Sequence, residues 1–67
     1  MGNSLNQPYT DTLMIIAASK EPIHVKELCG NLMSMGYAPT VAVQTVESVY
    51  NSFTIKVKDD KLSFIKF

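Results

Sequence analysis

The sequence predicts a small α+β domain: three short helices, a short strand between the first and second, and a C-terminal β-hairpin. Three observations carry this. Apolar residues recur at helical spacing in three segments between residues 8 and 52. Pro22 and the stretch Gly36-Tyr37-Ala38-Pro39 separate those segments, and such residues end helices and make turns. In residues 53–67 the apolar period shortens from about 3.6 residues to about 2, the period of a strand. At 67 residues and 46% hydrophobic composition the chain has room for one domain with a core of its own. Residues 1–7 read as a flexible arm and residues 8–67 as the domain.

Helix 1 is expected over about residues 8–19. Pro8 pre-sets φ for a first helical position, and Tyr9, Leu13, Ile16 and Ala17 share a face. Met14 and Ile15 lie off that stripe, as on a helix with a second packing partner. Lys20-Glu21-Pro22 ends the helix, and Ile23-His24-Val25 is suited to a short strand. Helix 2 follows, with Val25, Leu28, Leu32 and Met35 on one stripe, Cys29 at its edge and Gly36 as its stop. Helix 3 starts at Pro39 or Thr40 and runs to about Ser52. Ala42, Val43, Val46, Val49, Tyr50 and Phe53 are expected to face the core, and Thr40, Val41, Gln44, Glu47, Ser48 and Asn51 to face away from it. In the hairpin, a two-residue Asp59-Asp60 turn pairs Lys58 with Lys61, Val57 with Leu62 and Ile55 with Phe64, apolar opposite apolar. A four-residue loop is the alternative, because the opposed lysines repel and Asp-Asp is poor turn chemistry. The alternation breaks at Ile65, Lys66 and Phe67, where a bulge or frayed end is expected.

Composition narrows the function classes. Six lysines balance six acids, so no long-range field recruits a polyanion. The distribution is uneven: residues 53–67 carry net +2, from Lys56, Lys58, Lys61 and Lys66 against Asp59 and Asp60, and residues 1–52 carry net −2. Arginine is absent, which removes the side chain best suited to bidentate contacts with guanine and phosphate. The longest apolar run, Leu13 to Ala18, is far short of the roughly 20 residues of a membrane span. The N-terminus lacks a basic signal region, and Asn6 departs from the myristoylation pattern. Cys29 is the only cysteine and reads as a small buried hydrophobe in a reducing compartment. A cytoplasmic location with no membrane partner is the expectation.

Catalytic chemistry finds no support. His24 is the single histidine, with Cys29 five residues on, and no orienting third group can be placed. No Cys/His spacing suits zinc, and no glycine-rich phosphate loop occurs. No enzyme, cofactor, metal or small-molecule substrate is expected.

The order helix, short strand, helix, turn, helix, hairpin resembles a winged helix, the helix-turn-helix variant whose first strand joins the C-terminal hairpin in one sheet. The chain is similar in particular to the HARE-HTH group, over about residues 8–65. Pro22-Ile23-His24-Val25-Lys26-Glu27-Leu28 resembles the segment opening helix 2, Ala38-Pro39-Thr40-Val41 the one opening helix 3, and Phe53-Thr54-Ile55-Lys56-Val57 the start of the wing. Leu32-Met33-Ser34-Met35-Gly36-Tyr37, followed by a helix with Ala42, is also similar to the first loop of ubiquitin-associated domains, a likeness that stops at the hairpin, where such domains have a third helix.

The winged-helix resemblance implies a small DNA-binding transcription regulator. Helix 3 (about residues 40–52) would face the major groove through Thr40, Gln44, Ser48 and Asn51. The wing (residues 54–66) would set Lys56, Lys58 and Lys61 on the phosphates, and a homodimer would compensate for one weak module. Helix 3 departs from many such readers in having no Arg or Lys and in carrying Glu47. The alternative is a winged-helix protein–protein interaction module, binding the transcription machinery or a copy of itself, with Met14, Ile15, Met33 and Val41 as candidate contact residues because they lie off the core stripes.

Overall fold

A computed structural model describes residues 7–65. The elements, in chain order, are α1 (Gln7–Ala18), β1 (Ile23–His24), α2 (Val25–Ser34), α3 (Pro39–Tyr50), β2 (Ile55–Lys58) and β3 (Lys61–Phe64). They form the α+β architecture expected, with three helices and a three-stranded antiparallel sheet in the order β1-β3-β2. The first strand joins the hairpin in one sheet, as expected. Lys66 and Phe67, and residues 1–6 of the expected arm, lie outside the described residues. Gln7 belongs to α1 and not to an arm, because its side-chain amide donates to Asp11 Oδ1 at 3.0 Å and secures the first turn.

The hairpin register is the one the alternation predicts: Ile55 opposite Phe64, Val57 opposite Leu62, Lys58 opposite Lys61. Asp59 and Asp60 take φ of 55° and 60°, as a two-residue type I′ turn requires at both positions. Asp tolerates this region because its short polar side chain interacts locally. Pairing extends one residue beyond β3, with the Ile65 N–H donating to the Thr54 carbonyl at 3.0 Å. β1 joins through Ile23 opposite Leu62 and His24 opposite Lys61, so Leu62 sits in the middle of the sheet.

The core gathers where the helices meet the inner face of this sheet. Ile16, Ile23, Leu28, Leu32, Ala42, Val46, Val49, Ile55 and Leu62 are buried, with Tyr9, Leu13, Val25, Cys29, Tyr37 and Val57 packed partly against them. Cys29 is thus half-buried. α1 and α2 both pack on α3, and α1 also packs on β3.

Several residues expected in this core are outside it. Val43, Tyr50 and Phe53 are exposed, as are Ala17 and Met35. Phe53 and Met35 lie past the ends of their helices, where helical periodicity no longer sets direction. On α3 the buried stripe is Ala42, Thr45, Val46 and Val49, which leaves Val43 and Tyr50 on the flank beyond Val46. On α1 the stripe centres on Thr12 and Ile16. Thr12 is wholly buried, and its hydroxyl donates to the Pro8 carbonyl at 2.8 Å, which satisfies its polar group.

α2 is capped at both ends. His24 Nδ1 accepts from the Lys26 N–H at 3.1 Å. At the other end Gly36 N–H donates to the Met33 carbonyl and Tyr37 N–H to the Leu32 carbonyl, a Schellman closure with Gly36 at φ 104°.

The turn that follows is tied to α1: the Tyr37 hydroxyl donates to Asp11 Oδ2 at 2.5 Å. That hydrogen bond, followed by desolvation and the carboxylate's charge, holds the Tyr37 phenol above its ordinary value of 10.0. The fold favours the neutral phenol, so the contribution of this tie to stability is complete below pH 10 and is lost as pH rises through the folded-state value. Ultraviolet titration of the native chain is expected to show one of its three tyrosines ionising late. Asp11→Asn should return that tyrosine toward 10.0, and an unchanged titration would refute the assignment.

Candidate macromolecular interface

Three surfaces can meet a partner. The first is the outward face of α3, where Thr40, Val41, Gln44, Glu47, Ser48 and Asn51 are all exposed. Its only charged side chain is Glu47. The Asn51 side-chain amide donates to the Glu47 carbonyl at 3.0 Å, so that donor serves the end of its own helix. Val43 is 57% exposed and lines a shallow hollow with Pro39, Thr40 and Gln44, giving this helix an apolar flank.

The second surface is the hairpin turn. The Asp60 carbonyl accepts the Val25 N–H at 2.9 Å, and its carboxylate accepts the Tyr50 hydroxyl at 3.4 Å. The turn is therefore held against the start of α2 and the end of α3 and does not project as an arm. It carries two carboxylates.

The third is the outer face of the sheet. Ile55, Val57 and Leu62 point inward, so Lys56, Lys58 and Lys61 point outward and are exposed. The pairing aligns His24, Lys61 and Lys58 in one row across the three strands and Ser63 with Lys56 in the next. The lysines expected on the wing are thus brought together on one face. Directly opposed like charges destabilise a sheet by several tenths of a kcal/mol, about 0.2–1, so the Lys58–Lys61 pair is not there for stability.

The four apolar residues singled out as protein contacts are spread over three helices. Met14 is 63% exposed, on the side of α1 opposite Thr12 and Ile16; Met33 is exposed on α2 and Val41 on α3. Ile15 is a correction: it packs half-buried against the core and is not available as expected. The sequence reading missed Met35, Val43, Tyr50, Phe53 and Phe64, all exposed, with Phe53 at 88%. It also missed His24, whose place beside Lys61 depends on the β1 register that no local pattern encodes.

Among the described residues there is no group of three or more His, Cys, Asp or Glu placed to hold a metal ion, and no helix long and apolar enough to cross a membrane. No protein-family model matches the chain, and comparison with curated proteins and with solved structures finds no significant match.

Proposed function

We propose that this chain is a non-enzymatic winged-helix module that binds a protein partner, without reading DNA sequence. One observation carries the reading. The outward face of α3, with which a helix-turn-helix enters the major groove, holds Glu47 and no cation, and the tip of the hairpin between Lys58 and Lys61 is the acidic pair Asp59-Asp60. Phosphates approaching those surfaces would meet carboxylates. Large apolar side chains, Val43 and Phe53 among them, stay exposed instead, and these favour a protein surface.

The second reading, a DNA-binding transcription regulator, is favoured by a different observation: Lys56, Lys58 and Lys61 share the outer face of the sheet, where they can lie along a phosphate backbone. Three such contacts give a weak, strongly salt-dependent affinity, which makes a homodimer part of that reading.

A fluorescence titration of the full chain against random-sequence duplex DNA at low and moderate salt, with light scattering on the same sample, separates the two. The expected result is no duplex binding at either salt. Salt-sensitive binding that weakens when Lys56, Lys58 and Lys61 are changed to glutamate would overturn the protein-binding reading in favour of the second.

A further inference from the structure

We infer that the groove between the C-terminal end of α1 and the outer face of the sheet docks an acidic peptide segment carrying bulky apolar side chains, an inference that rests on the protein-binding reading. The groove has a volume of about 610 Å³, within the range of pockets that hold a ligand. Ile16, Ala17, Pro22, Phe64 and Ile65 give it an apolar lining, and Lys20 and Lys56 stand at its rim. Pro22, Lys56 and Ser63 also line the adjoining hollow that holds Lys58 and Lys61, so an apolar hollow and a cationic one share a wall. Four lysines face the two hollows against two carboxylates, Glu21 and Asp59.

The occupant follows from this charge pattern and from spacing. Lys56 and Lys58 are two residues apart on one strand and so present their side chains about 6.6 Å apart. An extended peptide presents alternate side chains at that same interval, so carboxylates at every second position can meet both lysines. A bulky side chain at the other end of the segment would cover Ala17, Phe64 and Ile65, which water otherwise reaches. A nucleic-acid strand matches less of these hollows: its phosphates gain nothing from the apolar lining, and the aromatic ring in the outer rows of the sheet is the His24 imidazole, which is tied to the start of α2 through the Lys26 N–H.

The test is a selection of random displayed peptides against the immobilised full chain, followed by binding measurements with an enriched peptide. Enriched sequences should combine acidic residues at alternate positions with one or more of Leu, Ile, Phe or Trp. Binding should weaken about tenfold or more in a K56E/K58E double variant, and also in Ala17→Glu, and should fall with added salt. These positions are exposed, and circular dichroism would establish that the variants stay folded. Enriched peptides that are neutral or basic, or that bind the variants as well as the parent, would overturn the groove while leaving protein binding intact and its surface elsewhere. Peptides recovered only against a chain ending at residue 65 would mean that the chain's own end fills the groove, which also overturns it. No enriched peptide, with single-stranded oligonucleotide bound through Lys56 and Lys58, would sink this inference and the protein-binding reading together.

Discussion

Leu62→Ala is expected to remove half or more of the domain's stability, about 2–5 kcal/mol. Leu62 is wholly buried at the centre of the sheet, opposite Ile23 on one side and Val57 on the other. Removing a buried leucine's outer carbons costs about 2–5 kcal/mol, the upper end applying where neighbours cannot collapse into the space. Here the neighbours are held by ladder pairing on both sides, so the upper end applies. A domain of this length is stable by roughly 3–10 kcal/mol, at roughly 0.05–0.15 kcal/mol per residue. One substitution therefore removes half or more of the total. Urea unfolding followed by circular dichroism measures it; a midpoint within experimental error of the parent would refute the placement of Leu62.

The second large effect is at Gly36, where alanine should destabilise by about 1–3 kcal/mol, lowering the melting temperature by roughly 4–24 °C. A Cβ built there meets nothing within 4 Å, so the whole effect comes from the backbone, whose φ of 104° L-residues rarely adopt. Gly30 provides the contrast within the same molecule. It also has open space around a Cβ, but it lies inside α2 with no positive φ. Gly30→Ala should therefore stabilise, by about 0.5–1 kcal/mol, through better helix propensity. Opposite signs for one substitution six residues apart is the expected outcome of paired thermal melts, and equal signs would contradict the assignment of Gly36 as the helix stop.

Much of the architecture was legible because local rules agreed with one another. In the hairpin, the alternation of Ile55, Val57, Leu62 and Phe64 admits a single register once the turn is placed, and a slip of one residue would put Lys56 and Lys58 into the core. Gly36 and Pro39 likewise fix one helix's end and the next one's start. What misled was the width of the helical stripes. α3 offers apolar residues over more of its circumference than its neighbours cover, and hydrophobicity alone does not say which flank is left open. Thr45 is buried while Val43 and Tyr50 are not. Thr12 was passed over for a related reason: its hydroxyl is satisfied within its own helix, so a polar residue occupies a core position without leaving a donor unpaired. Of the candidate site, the grouping of the three lysines followed from strand alternation and was readable. The groove beside them was not, since it arises where α1 meets residues almost fifty positions away in the chain.

The two-residue strand β1 has a consequence for the order in which the molecule assembles. The hairpin closes over a turn of two residues and can form by itself in about 1–10 μs. Ile23, by contrast, reaches Leu62 across a loop containing both α2 and α3, and closing a flexible loop of that length costs roughly 3 kcal/mol of chain entropy. Two ladder pairs and the Val25–Asp60 hydrogen bond do not offset that sum in an otherwise unfolded chain. β1 therefore adds to the sheet only after helix packing has already shortened the effective loop. It is a late event in folding and an early one in local opening, and the amide of Val25 is the proton whose exchange with solvent reports it.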